Sequence, residues 1–127
     1  MARRDPDRPT EGELEILTVL WASGPSTVRQ VFEQLKKTRD TGYTTVLKLL
    51  QIMHEKGLVE RDESERSHIY RAARHETSTQ RQLLKNLLNS AFSGSAEKLV
   101  MQALSLRRVT PNEIASIRNL LDKLEEK

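Results

Sequence analysis

One switch of periodicity, near residue 58, constrains this 127-residue chain more than any other feature. Before it, apolar side chains recur at helical spacing; after it they alternate as in strands. Thr10 and Glu13 have the spacing of a capping box, and Leu14, Leu17, Leu20 and Trp21 follow until Gly24-Pro25 interrupts, which predicts a helix over about residues 11–22. Thr27 with Gln30 offers a second cap, before a stripe of Val28, Val31, Phe32 and Leu35. A third stripe, Val46, Leu49, Leu50 and Met53, predicts a helix over about 42–56, closed by Gly57 as a left-handed cap. Then Leu58-Val59-Glu60-Arg61 and Ser67-His68-Ile69-Tyr70-Arg71 flank a polar tip and predict a hairpin. Three helices and a hairpin, in that order, make a winged helix-turn-helix.

The rest of the chain returns to helical spacing. Leu83, Leu84, Leu87, Leu88, Ala91 and Phe92 predict a helix over about 78–92 with a broad apolar face. A short helix follows Ser95, with Leu99, Val100, Ala103 and Leu104 inward, and Thr110-Pro111-Asn112-Glu113 starts a last one carrying Ile114, Ile117, Leu121 and Leu124. Three helices in about 50 residues fall below the size at which a lone core suffices without disulfides or metal. Burial against a second copy is the simplest remedy. The expected organisation is a flexible segment 1–9, a DNA-binding domain 10–73 and a dimerisation domain 74–127. The dimer contacts are expected from Leu83, Leu84, Leu87, Leu88, Phe92, Leu99, Val100, Ile114, Ile117 and Leu121. The fold class is mainly α with a small β-hairpin wing and a C-terminal helical dimerisation segment.

Composition removes several functions. There is no cysteine, hence no disulfide framework, thiolate metal site or cysteine nucleophile. No apolar run approaches the roughly 18–20 residues that span a bilayer, and the polar N-terminus lacks a secretory pattern, so the expected location is cytoplasmic, without membrane insertion. His54, His68 and His75 stand apart without an H-x-x-x-H pair, so neither a metal nor a cofactor is expected. Ser95-Ala96-Glu97-Lys98 has the S-x-x-K spacing of a hydrolase nucleophile, but the accompanying elements are absent and Ser95 is more simply a helix N-cap. The chain is not expected to be an enzyme.

Charge points weakly to a polyanion. The formal net charge is +3 and arises wholly after residue 73. Local distribution matters more than the total, because charges act over about a Debye length. Between Arg29 and Lys48 there are five cations (Arg29, Lys36, Lys37, Arg39, Lys48) against Glu33 and Asp40. Opposite the apolar stripe of the third helix lie Tyr43, Thr44, Thr45, Lys48, Gln51, Ile52 and Glu55, a mixture that suits base edges and phosphates in a major groove. An ordinary solvated face is the competing reading. Arg29 is placed for the DNA backbone and Arg66 for a neighbouring groove, unless Glu63 and Glu65 neutralise Arg66. A winged-helix module that binds protein rather than DNA is the alternative function.

The residues themselves are familiar. Leu20-Trp21 before Gly-Pro, Thr27-Val28-Arg29, Tyr43-Thr44-Thr45-Val46-Leu47, Lys56-Gly57-Leu58-Val59-Glu60-Arg61, Arg66 and Tyr70, then Phe92-Ser93-Gly94-Ser95 and Leu99-Val100, resemble the penicillinase repressor family (BlaI/MecI/CopY). The resemblance implies a homodimeric repressor that binds a palindromic double-stranded operator, with Thr27, Arg29, Tyr43, Thr44, Thr45, Lys48, Gln51 and Arg66 at the DNA. In antibiotic-responsive members it also implies a membrane sensor-protease as partner, with cleavage at an Asn-Phe bond. Here Gln102-Ala103 stands at that place. Copper-responsive members use C-terminal cysteines, which this chain lacks.

Overall fold

The computed structural model describes residues 8–126; apart from Arg8 and Pro9, the segment expected to be flexible lies outside the described residues. Six helices and three short strands run in the order α1 (Glu11–Ser23), β1 (Ser26–Thr27), α2 (Val28–Leu35), α3 (Tyr43–Lys56), β2 (Val59–Asp62), β3 (Ile69–Ala72), α4 (Glu76–Ser90), α5 (Ala96–Leu106) and α6 (Pro111–Glu125). The mainly helical class with a small β wing is as the periodicity indicates. The chain separates into two compact units, one up to Leu83 and one from Leu84 onward.

In the first unit, local chemistry sets the helix ends. Thr10 Oγ1 accepts the Glu13 N–H while the Glu13 carboxylate accepts the Thr10 N–H, and Thr27 and Gln30 repeat the exchange at α2. At the end of α3, Gly57 is left-handed with φ 80° and ψ 15°. Its N–H donates to the His54 carbonyl and that of Leu58 to the Met53 carbonyl, at 3.1 and 2.9 Å, which is a Schellman closure. The turn sends the chain into β2.

The sheet holds one strand more than the hairpin. Its order is β1-β3-β2, all antiparallel, with Ser26 opposite Tyr70 and Arg61 also opposite Tyr70 from the other side. Two residues before α2 carry no strand signal of their own; β3 supplies the partner that makes them one. The core comprises Ile16, Leu17 and Leu20 of α1, Val28, Val31 and Leu35 of α2, Val46, Leu50 and Met53 of α3, and Leu58, Val59 and Tyr70. Leu14, Trp21, Phe32 and Leu49, expected in the stripes, are only partly buried. On α1 the inward arc is rotated to Glu13, Ile16, Leu17 and Leu20, leaving Leu14 and Trp21 at its margin. Trp21 uses that margin: its Nε1–H donates to the Arg74 carbonyl at 2.9 Å, tying the end of α1 to the chain leaving β3.

Glu13 is the one buried carboxylate in this unit among the described residues, 1% exposed. Lys56 Nζ, at the far end of α3, lies 2.9 Å from its Oε1. Burial alone would raise the carboxyl pKa, but the Thr10 N–H and the Lys56 ammonium together hold it below its ordinary value. The pair thus pins the start of α1 to the end of α3.

The second unit has the expected punctuation without the inward-facing side chains expected on α5. Ser95 caps α5 by accepting the Lys98 N–H, and α6 opens with Pro111 at its first turn and a Thr110–Glu113 capping box. Yet no described residue from Leu84 onward is buried. Val100, Ala103 and Leu104, expected to face inward on α5, are exposed, and Leu99 is half-buried. The end of α4, with α5 and α6, does not enclose a core by itself. No helix among the described residues is long and apolar enough to cross a membrane.

Candidate nucleic-acid interface

Helices α2 and α3 meet through a cation-aromatic cluster. The Arg29 guanidinium lies 5.0 Å from the Tyr43 ring centre and 5.9 Å from that of Phe32, and the two rings meet edge to face at 6.0 Å. Lys36 Nζ covers the other reach of Phe32 at 5.3 Å. Such stacks contribute about 0.5–1 kcal/mol each at exposed positions. Their larger effect is geometric, because Arg29 and Tyr43 are held together where α2 starts and α3 starts. Glu33 completes the group, 2.8 Å from Lys36 and 3.7 Å from Arg29. The Lys36 hydrogen bond is the main reason its carboxyl pKa is lowered. Phe32 was not foreseen as part of this surface, whereas Glu33 and Lys36 entered only as members of the basic window. Phe32 and Glu33 stand three and four residues after Arg29, and Lys36 three after Glu33, and that spacing was the available signal.

The structure brings Thr27, Arg29, Tyr43, Gln51 and Arg66 to one cleft of about 320 Å³ between α2, α3 and the hairpin. Thr44, Thr45 and Lys48 do not line that cleft but are exposed on α3 beside it. Ile52, read as part of the outward face, is half-buried, whereas Glu55 is exposed. Gly42 offers no side-chain cap, so the first-turn N–H groups of α3 have no such acceptor. An anion is the natural partner for a helix start of this kind.

Charge pairing leaves this face cationic. Glu63, considered above as a neutralising partner for Arg66, pairs instead with Arg61. Arg66 and Lys48 enter no ion pair among the described residues. Arg39, counted in the basic window, is engaged by Glu15 of α1. The surface can therefore offer an extended anion guanidinium and ammonium groups, hydroxyls, one amide and the amides of a helix start. No group of three or more His, Cys, Asp or Glu among the described residues could hold a metal ion. Gln102 and Ala103 lie within α5 and are both exposed.

In the second unit, Leu84, Leu87, Val100, Ile114 and Leu121 are exposed, and Leu88, Phe92, Leu99 and Ile117 half-buried. Leu83, the last residue of the first unit, is half-buried as well.

Comparison with known proteins places these features in a family. Residues 9–123 match the family described as penicillinase repressor. The chain is 34% identical over 118 residues to the transcriptional regulator BlaI of Mycobacterium tuberculosis, covering 90% of this chain and 84% of that protein. It is 22% identical over 114 residues to the methicillin resistance regulatory protein MecI of Mammaliicoccus sciuri, covering 90% and 93%. These relatives are named as regulators, not enzymes. Among solved structures, the Bacillus licheniformis BlaI monomeric form in complex with the blaP half-operator matches 61% of this chain and 87% of that one, with 21% identity and a TM-score of 0.45.

Proposed function

Because this chain belongs to the penicillinase repressor family, we propose that it is a homodimeric transcriptional repressor whose α3 enters the major groove of a palindromic operator. The observation that carries the reading is the convergence of Thr27, Arg29, Tyr43, Gln51 and Arg66 on one cleft beside the exposed Thr44, Thr45 and Lys48. Side chains at the start of a helix reach base edges, while helix starts and cations nearby hold phosphates. In this reading Thr44, Thr45, Lys48 and Gln51 face bases, and Thr27, Arg29, Tyr43 and Arg66 set the register on the backbone.

The second copy is proposed on different grounds. Leu84, Leu87, Val100, Ile114 and Leu121 would lose their exposure by packing on another chain, which supplies the core that three short helices lack. Two readers joined in this way bind two half-sites with far higher avidity than either alone.

The test is binding of the purified chain to DNA from its own upstream region, at two salt concentrations, with unrelated DNA as competitor. Competitor-resistant binding that weakens with salt is expected. Thr45→Ala and Lys48→Ala should each lose about 1–3 kcal/mol if the contact is to a base. Equal, weak binding to both DNAs would move the function to a protein partner. Unchanged affinity in both variants would remove α3 from its reading role.

A further inference from the structure

A second cavity, of about 420 Å³, opens on the first unit where the end of α1, the chain leaving β3 and the start of α4 meet. It shares no lining residue with the cleft described above. Leu20, Trp21, Ala72 and Ala73 give it an apolar wall. Trp21 is half-buried, and its Nε1–H is already taken by the Arg74 carbonyl at 2.9 Å, so it offers the cavity ring carbons rather than a donor. Charges of both signs stand at the rim. Arg74 and Glu76 line the cavity with His75 between them in the chain, and both are exposed. Neither enters an ion pair among the described residues. Arg71, which also lines the cavity, is held by Glu60 at 3.0 Å. An apolar wall thus faces solvent beside one uncommitted guanidinium and one uncommitted carboxylate.

We propose that this cavity is a ligand site for a free apolar α-amino acid, with the ligand's side chain against Trp21 and Leu20, its carboxylate on Arg74 and its ammonium on Glu76. Small-molecule sites are concave and mostly apolar, with a few polar groups that fix orientation, in volumes of about 300–1,000 Å³. The charges narrow the class. An apolar anion would meet the Glu76 carboxylate as well as Arg74, and an apolar cation would meet Arg74 as well as Glu76; like charges so placed oppose binding. A zwitterion satisfies both. In an α-amino acid the two charged groups sit on one carbon, so the residues that read them must stand close together, as Arg74 and Glu76 do, two positions apart. The planar guanidinium fork also matches a carboxylate in shape. A bound ligand would add to the Trp21–Arg74 hydrogen bond in joining the end of α1 to the chain that enters α4. This site stands apart from the DNA-binding reading and does not rest on it.

The reporter is built in, because Trp21 is the single tryptophan of the chain. The experiment titrates the full chain with L-phenylalanine and, separately, with L-leucine at neutral pH, following Trp21 fluorescence, with thermal melts as a second reading. A saturable change is expected, half complete at about 1 mM or below, the range for a ligand of about a dozen heavy atoms. The melting temperature should rise with ligand concentration. Phenylpropionate and phenethylamine, which each keep one of the two charges, should bind roughly tenfold more weakly than L-phenylalanine. Arg74→Gln should lose the preference for L-phenylalanine over phenethylamine, and Glu76→Gln the preference over phenylpropionate. Ala73→Leu, which fills the cavity, should abolish the response, whereas Arg81→Gln, exposed on α4 outside the cavity, should keep it. No saturable change with either amino acid up to about 10 mM would overturn the site. Equal binding of L-phenylalanine, phenylpropionate and phenethylamine would overturn it too, as would a response that survives in Ala73→Leu. Each of these outcomes leaves the operator reading where its own test puts it.

Discussion

Glu13 shows how one residue can serve two elements. It completes the cap of α1 and, with Lys56, fastens that cap to the end of α3. Removing one partner of a buried pair costs about 3–5 kcal/mol when the other charge stays trapped. Lys56 keeps 26% of its side chain exposed and can turn to water, whereas Glu13 cannot. Lys56→Met is therefore expected to destabilise by about 3 kcal/mol and Glu13→Gln by about half as much, measured by urea unfolding at neutral pH. The pH dependence has a definite sign. The folded Glu13 carboxyl lies below its ordinary value of 4.5, so its contribution is full above that value and is lost as pH falls through the folded value. Glu13→Gln should show a shallower loss of stability on acidification below about pH 4.5 than the parent. Two glycines give a contrast at the same scale. Gly57 has φ 80°, and an added Cβ would meet nothing within 4 Å, so Gly57→Ala costs only the backbone strain, about 1–2 kcal/mol. Gly12 lies inside α1, where a Cβ would rest 3.6 Å from Leu49 Cδ1, an ordinary contact. Gly12→Ala should raise stability by roughly 0.5–1 kcal/mol, read from thermal melts.

Helices were legible in this chain because their signals are local. Thr10, Thr27, Ser95 and Thr110 each sit three residues before the backbone N–H that their side chains accept, and Gly57 ends α3 at the position its sequence indicates. Strand β1 was not legible, because Ser26 and Thr27 become a strand only through Tyr70 and Ile69, more than forty residues later. The rotation of α1 was likewise hidden: Glu13 reads as a capping acid, and only Lys56, from a distant segment, makes its burial tolerable. The candidate interface divides in the same way. Its α3 residues followed from one helix's periodicity, whereas Arg61 and His68 reach the cleft only once the hairpin has folded against α2 and α3. Thr27 tests an element rather than a contact, since its hydroxyl starts α2 and α2 carries Arg29 and Phe32. Thr27→Ala should lose about 1 kcal/mol of stability in chemical denaturation. Thr27→Ser, which keeps the oxygen, should stay within a few tenths of the parent.

At the scale of the whole molecule, burial is confined to one part of the chain. Every buried residue among those described falls between Glu13 and Tyr70, while ten of the eleven exposed large apolar side chains fall between Leu84 and Leu124. Sedimentation at micromolar concentration is expected to give about twice the 14.6 kDa chain mass, consistent with the symmetric pairing common among small oligomers. Leu87→Asp with Leu121→Asp should return the chain mass and weaken operator binding by two orders of magnitude or more, as expected when avidity is lost. A monomer mass for the parent would end the dimer proposal. The separation of burial from exposure also bears on descent. No residue after Leu84 lines the cleft or belongs to the buried core cluster. On the proposed function, duplicated genes would be able to drift in that segment until their products no longer recognised one another, while each went on reading the same DNA.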